Sequence, residues 1–176
     1  MKENEKSPGI GAFSLSTNDV TLSLWNGFHC SRLAAVMSDH VIRVIALAII
    51  LHPATGRLLV FRGYDASRAL VYHRPFGGGV EAGETAAEAA VREIREEIGV
   101  IVDPIRTLGF AESFFVAGGS PRHEIALLVE CRFTDESLYD RNAYNDLEGN
   151  GEHGLWRDLQ EETPLFPETL LSILRA

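Results

Sequence analysis

Three glutamates with helical spacing are the residues of this chain best suited to chemistry. Glu93, Glu96 and Glu97 stand at positions i, i+3 and i+4, which share one side of a helix. Their charges repel one another, and a cation between them would turn that repulsion into coordination. Mg²⁺ and Mn²⁺ take oxygen ligands, and bound Mg²⁺ commonly contacts substrate phosphates as well. The spacing therefore indicates a holder for a hard divalent cation, as a phosphate-bond hydrolase requires.

A glycine-rich loop precedes these glutamates. Gly77, Gly78 and Gly79 directly follow Pro75 and Phe76. Three successive glycines cost backbone entropy, and they are expected where a chain turns sharply or approaches a ligand closely. Glutamates on a helix usually form a solvated face, but the loop beside them favours a site that can approach phosphates.

Local signals predict the helix that carries the glutamates. Thr85 and Glu88 have the spacing of a capping box, and Gly99 supplies a left-handed residue just past the predicted end. Strong helix formers run between them. One arc of this helix is apolar and is expected to face a core: Ala87, Ala90, Val91, Ile94 and Ile98. The three glutamates occupy the neighbouring arc.

The segment from Gly78 to Val100 resembles the Nudix box, G-x5-E-x7-R-E-U-x-E-E-x-G-U, in which U is an aliphatic residue. Every defined position of that motif matches: Gly78, Glu84, Arg92, Glu93, Ile94, Glu96, Glu97, Gly99 and Val100. So many fixed positions in one short segment make the resemblance highly specific. A weaker resemblance extends from about Val41 to the C-terminus, and residues 1–40 show none.

The resemblance implies a role for each box residue. The implied metal ligands are the carbonyl oxygen of Gly78 and the carboxylates of Glu93, Glu96 and Glu97. Arg92 would pair with Glu84 and orient the site, and Glu93 is the favoured base or ligand. Members of the family hydrolyse a nucleoside diphosphate linked to another moiety, with water attacking phosphorus. Bound Mg²⁺, or Mn²⁺ in its place, would neutralise phosphate charge and lower the pKa of the water.

The resemblance leaves the position of the general base open, because some members use the box and others use a later glutamate. Glu112 and Glu124 are the two later candidates, and we favour Glu124 slightly because it opens an apolar strand. His123 is a candidate phosphate contact, although a lone loop histidine is more often a surface residue. Tyr139 and Tyr144 could stack on a nucleobase, although aromatic residues in loops usually pack locally.

Composition narrows the class of protein and its partners. A chain of 176 residues is long enough for one well-buried core, and its formal charge of −9 disfavours binding to nucleic-acid polymers. No apolar run reaches the roughly 18 residues of a membrane span, so no membrane partner is expected. Cys30 and Cys131 lack disulfide or metal spacing and predict free thiols in a cytoplasmic protein. The expected partner is a small-molecule nucleoside diphosphate derivative, and a homodimer stays open.

The chain divides into an N-terminal extension, residues 1–40, and a Nudix hydrolase domain, residues 41–176. In the extension, alternation around Leu22 allows a short edge strand, and Met37 is a candidate natural start. Strands are predicted at residues 41–51, 57–62, 69–73, 105–116, 123–133 and 154–157, with a last helix at 166–174. This order suggests an α/β protein with helices on both faces of a mixed sheet. It agrees with the α/β/α sandwich that the resemblance implies.

Two functions from different classes fit these residues. The favoured one is an Mg²⁺-dependent pyrophosphohydrolase. The alternative is a noncatalytic Nudix-like domain that senses a nucleotide or a protein. Such domains typically lose box carboxylates, and all of them are present here. The identity of the substrate stays open because loops outside the box read it.

Overall fold

The computed structural model describes residues 41–117, 119–145, 147 and 153–175. The strand predicted around Leu22 and the candidate start at Met37 lie outside these residues. The strands, in chain order, are β1 (Ile42–Ile49), β2 (Leu58–Asp65), β3 (Leu70–Arg74), β4 (Gly77–Gly79), β5 (Val102–Ala117), β6 (Ser120–Phe133), β7 (Ala143–Asn145) and β8 (His153–Arg157). The helices are α1 (Ala86–Ile98) and α2 (Leu170–Leu174), with a 3-10 helix at Glu136–Asp140.

The strands form two four-stranded sheets. The first has the order β4-β1-β6-β5. It is a mixed sheet, because β1 and β6 are parallel while the pairs β1–β4 and β5–β6 are antiparallel. The second has the order β3-β2-β8-β7 and is antiparallel. The mixed sheet that the sequence predicted is therefore confirmed, with part of the strands set apart in a second sheet.

Buried residues of β1 alternate between two apolar cores. Ala46 and Ala48 belong to the core beneath α1, whereas Ile45 and Leu47 belong to the core that includes Leu170 of α2. Side chains of a strand point alternately to opposite faces, so helices cover both faces of the mixed sheet. The predicted α/β/α arrangement is confirmed.

The residues that predicted α1 are the residues at which the helix begins and ends. The Thr85 hydroxyl accepts a hydrogen bond from the Glu88 backbone N–H, and the Glu88 carboxylate accepts one from the Thr85 backbone N–H. At the other end, Gly99 has φ of 69° and donates its backbone N–H to Arg95. Since both ends are fixed locally, the helix holds its glutamates in register with the loop before it.

Several predicted boundaries were wrong. The last helix begins at Leu170 rather than at residue 166, because the chain first makes a turn in which Leu170 donates to the Pro167 carbonyl. Gly77–Gly79 was read as a loop, yet it pairs with β1 as a strand. The two long strands β5 and β6 extend beyond their predicted limits by several residues. Within the described residues, no helix is both long and apolar enough to cross a membrane.

Candidate active site

Arg92 is the hub of the box. Its Nε and Nη2 atoms donate to the two carboxylate oxygens of Glu84, each at 2.9 Å. Its Nη1 donates to Glu93 at 2.8 Å and to Glu96 at 3.1 Å, and Nη2 also reaches the Gly79 carbonyl at 2.8 Å. These contacts match the five N–H donors of a guanidinium. The pairing of Arg92 with Glu84 that the resemblance implied is present in the structure.

The same contacts set the charge states of the box. The hydrogen bonds from Arg92 hold the pKa of the Glu84 carboxyl below its usual range. In return, the hydrogen bonds to Glu84 and Glu93 raise the pKa of Arg92 further above its ordinary value. Both groups therefore stay ionised at neutral pH, and Arg92 offsets part of the negative charge that the box concentrates.

Strand β4 lies close against the glutamates of α1. A Cβ atom at position 78 would stand 2.6 Å from the carboxylate of Glu93, closer than unbonded atoms approach, so any side chain there would displace Glu93. The backbone N–H of Gly77 donates to Glu97 at 2.9 Å. Glu93 and Glu97 therefore both lie against the backbone of the glycine strand.

The donor set fits a hard divalent cation in its chemistry. Three carboxylates and the backbone of Gly78 offer only oxygen, and the space that a Cβ of Gly78 would fill holds the Glu93 carboxylate instead. Among residues 41–117, 119–145, 147 and 153–175, no three His, Cys, Asp or Glu side chains are gathered as a metal site. Glu93 and Glu96 are both paired with Arg92. Glu96 is half exposed, so its carboxylate can turn elsewhere without disturbing the core.

Glu112 and His123 form a pair on the mixed sheet. The Nε2 atom of His123 lies 2.8 Å from a carboxylate oxygen of Glu112, and the ring of Phe114 lies 4.3 Å from the imidazole. Ala111 belongs to the core on the α2 side, so its neighbour Glu112 faces the side on which α1 packs. Both groups are partly exposed.

Glu124 has a different setting. It is buried, with 6% of its surface exposed, and it contacts Arg43 at 3.2 Å and Arg74 at 3.9 Å. It stands two residues from Ala126, which belongs to the core on the α2 side, so the two side chains share that face. Strand alternation therefore directs the Glu124 and Glu112 side chains to opposite faces of the sheet, and both residues line the same cavity.

A cavity of about 790 Å³ opens beside Glu124. One wall is the mixed sheet, which contributes Ile45, Ala126 and Phe115, and another is the β2–β3 hairpin. The C-terminal segment closes a third side with Phe166, whose ring lies 5.6 Å from that of Tyr72. Aromatic walls with a few charged groups are typical of sites for small molecules, and the volume suits a nucleotide-sized one.

The cavity and the box adjoin through β1. Ile45 lines the cavity and is the direct strand partner of Gly79, whose carbonyl accepts from Arg92. Arg74 also lines the cavity, and only Pro75 and Phe76 separate it from β4. The cavity lining is therefore connected to the glycine strand both through β1 and through the chain itself.

The tyrosines that were candidates for nucleobase stacking pack locally instead. Tyr144 is buried and donates its hydroxyl to the Leu138 carbonyl, and burial raises its pKa to about 12. The Tyr139 hydroxyl accepts from the backbone N–H of Phe133, and its ring stacks on Trp156. Both serve the core beneath α1, away from the cavity lining.

Sequence reasoning missed the residues that shape the cavity. Tyr72 and Arg74 lie on β3 whereas Phe166 lies far along the chain, and the pairing of Phe166 with His73 brings them together. Arg157 was also missed. It is fully buried and donates to the carbonyls of Thr163 and Glu161, which anchors the segment leading to Phe166. The Arg74-Pro75 sequence before the glycines was the one local signal available.

Comparison with known proteins agrees with this fold and site. The family model of the NUDIX domain matches residues 42–166, which is most of the chain. Since the full set of box residues stands on this fold, the chain is a hydrolase of the class that acts on phosphoanhydride bonds. It belongs to the NUDIX family. No curated protein matches the chain.

Solved structures show the same fold at low identity. The MutT NUDIX hydrolase from Burkholderia pseudomallei is similar with a TM-score of 0.57 and 22% identity, over 78% of this chain and 99% of that one. The MutT protein from Methanosarcina mazei Go1 gives 0.53 and 20%, over 76% and 91%. The E. coli ORF135 protein gives 0.51 and 24%, over 76% and 89%. Identities this low show the fold alone.

Proposed function

We propose that this chain is an Mg²⁺-dependent pyrophosphohydrolase that cleaves the diphosphate linkage of a nucleoside diphosphate derivative. The observation that carries the proposal is the approach of Glu93 to Gly78. That contact leaves no room for a Cβ atom at position 78 while Glu93 keeps its place, and it sets a carboxylate of the box helix against the backbone of the glycine strand. A purely structural ion-pair cluster would have no need of such an approach.

The residues divide the work between them. Glu93, Glu96, Glu97 and the Gly78 carbonyl would hold Mg²⁺, with Mn²⁺ as a substitute. The bound cation supplies charge neutralisation and activation of water. Arg92 holds the Glu84 and Glu93 carboxylates in place through hydrogen bonds. The cavity beside Ile45 would hold the remainder of the substrate, so that the diphosphate lies across the glycine strand.

The decisive experiment is a panel of nucleoside diphosphate derivatives incubated with the protein and Mg²⁺, with every product identified. Running the best reaction in ¹⁸O-labelled water shows which bond breaks, because attack at phosphorus puts the label in a phosphate product. We expect label in phosphate and no turnover in excess EDTA. Full-rate hydrolysis in EDTA, or label in the nonphosphate product, would overturn the proposal.

A further inference from the structure

We propose that Arg74 binds the diphosphate of the substrate where it leaves the cavity for the box, and that Glu124 positions the Arg74 guanidinium. The inference rests on the proposed function and names a phosphate-binding residue outside the box. Glu124, which the sequence made a candidate general base, is then a positioning residue instead.

The arginines near the site differ in how far their N–H donors are already hydrogen-bonded. The N–H donors of Arg92 are already hydrogen-bonded to Glu84, Glu93, Glu96 and Gly79. Arg74 differs, since within the described part of the chain it makes one ion pair, at 3.9 Å to Glu124, and no hydrogen bond. Its side chain is one-quarter exposed and lines the cavity. It therefore brings unused N–H donors to a partly enclosed site.

Arg74 stands between the two parts of the site along the chain. It ends β3, and two residues later the chain enters β4, which carries the glycines that approach Glu93 and Glu97. Arg68, the other arginine of the cavity lining, is half exposed on the β2–β3 turn and pairs with Asp65. Arg74 is thus the cavity arginine nearest to the box along the chain.

The electrostatics of the site also favour a positively charged side chain. The box concentrates carboxylates in a chain whose formal charge is −9, so an anionic substrate meets repulsion there unless cations oppose it. A guanidinium binds phosphate oxygens through two parallel N–H donors, which gives direction as well as attraction. Arg74 supplies such a fork in the lining of the cavity.

The contact with Glu124 positions the guanidinium of Arg74. Its carboxylate is buried and shared between Arg43 and Arg74, with the shorter contact to Arg43. The buried carboxylate therefore has a permanent partner in Arg43, while its longer contact to Arg74 leaves that guanidinium able to bind an incoming phosphate. Arg106 pairs with Glu130 and does not line the cavity, so it serves as a charge-matched control for Arg74 that leaves the contacts of Glu124 untouched.

The test uses inorganic pyrophosphate, which has the shared chemistry of all the candidate substrates. Its affinity is measured by calorimetry in excess EDTA at low salt, so that neither metal nor hydrolysis contributes. We expect Arg74→Gln to weaken binding about ten- to a hundredfold, as loss of charged hydrogen bonds predicts. The affinity of Arg74→Lys should fall between those of the wild type and Arg74→Gln, and Arg106→Gln should stay within about twofold of the wild type.

Equal weakening by Arg106→Gln and Arg74→Gln would overturn the inference, since it would mean a general charge effect. Absence of pyrophosphate binding by the wild type would overturn it too. Melting temperatures of all variants check folding, and Arg74→Lys keeps the test valid if Arg74→Gln unfolds. The result is separate from the proposed function. A wild type that hydrolyses nothing can still bind pyrophosphate through Arg74, and an active enzyme can bind it without Arg74.

Discussion

The carboxylate of Glu93 lies where a side chain at position 78 would begin, 2.6 Å from the Cβ that any residue other than glycine would place there. One residue is on the box helix and the other is on an edge strand of the mixed sheet. The approach therefore links the two elements that the site depends on.

The substitution Gly78→Ala should displace Glu93 and lower turnover by about a hundredfold, because a shift of about 1 Å in a positioned group can have that cost. Gly79→Ala is the matched control, since a Cβ there meets nothing within 4 Å. Steady-state kinetics and melting curves of both variants measure the effect. Equal activities in the two variants would mean that the close approach of Glu93 has no role in the reaction.

Glu96→Gln and Glu97→Gln should each lower turnover much more than stability. Each change keeps the shape of the side chain and removes one negative oxygen donor from the α1 set. Glu88→Gln is the control on the same helix, because glutamine also completes a capping box. If the glutamates were only a solvated face, relief of repulsion would leave activity intact and raise stability by a few tenths of a kcal/mol. Titration of activity against Mg²⁺ distinguishes these outcomes.

Arg92→Lys should destabilise the fold and lower activity together. A lysine ammonium has three donors and no fork, so it cannot reproduce the paired bonds to Glu84 and the bond to Gly79. The expected loss is about 1–3 kcal/mol of unfolding free energy, measured by denaturant titration. Arg95→Lys, on the same helix, should leave both properties near wild type. A fully active Arg92→Lys variant would contradict the role of Arg92 in holding the box carboxylates in place.

Features coded by neighbouring residues could be predicted from the sequence. Thr85, Glu88 and Gly99 fix α1 through contacts within a few residues, so its limits and its glutamate face followed from spacing alone. The resemblance to the box likewise implied the ion pair of Glu84 with Arg92. In each case the partners are close in sequence.

Features that depend on distant partners could not be predicted in this way. Gly77–Gly79 has no strand propensity, and it is a strand only because β1 offers it a pairing edge. The cavity needs Phe166 beside Tyr72, and that contact depends on the pairing of the C-terminal segment with His73. Buried Arg157 follows from the same pairing. No local pattern marks any of these contacts.

Stability should decrease with acidity through His73. Burial lowers the pKa of this histidine below its ordinary value of 6.5, and Arg157 and Arg62 act in the same direction against Glu161. Between the folded and unfolded pKa values the unfolded chain binds more protons, so unfolding free energy falls as pH drops through 6.5. It levels off below the folded pKa.

The measurement for His73 is the melting temperature between pH 8 and pH 5. The unfolding free energy that underlies the change in melting temperature should vary by no more than about 1.4 kcal/mol per pH unit, because a single proton is involved. His73→Asn should remove this part of the dependence, and His153→Gln, at an exposed position, should retain it. An unchanged pH profile in His73→Asn would show that other groups cause the acid loss.

The general base is expected to be Glu112 if it lies outside the box. The sequence favoured Glu124, but its two arginine partners and its place on the face away from α1 favour a positioning role. Glu112→Gln should then lower kcat about 10²–10⁴-fold with little change in KM. Glu124→Gln should act mainly on KM, and the double variant Glu124→Gln, Arg74→Gln should lose no more substrate affinity than Arg74→Gln alone. Small and similar effects on kcat from both single variants would instead place the base in the box, with Glu93 the first candidate and Glu84 the second.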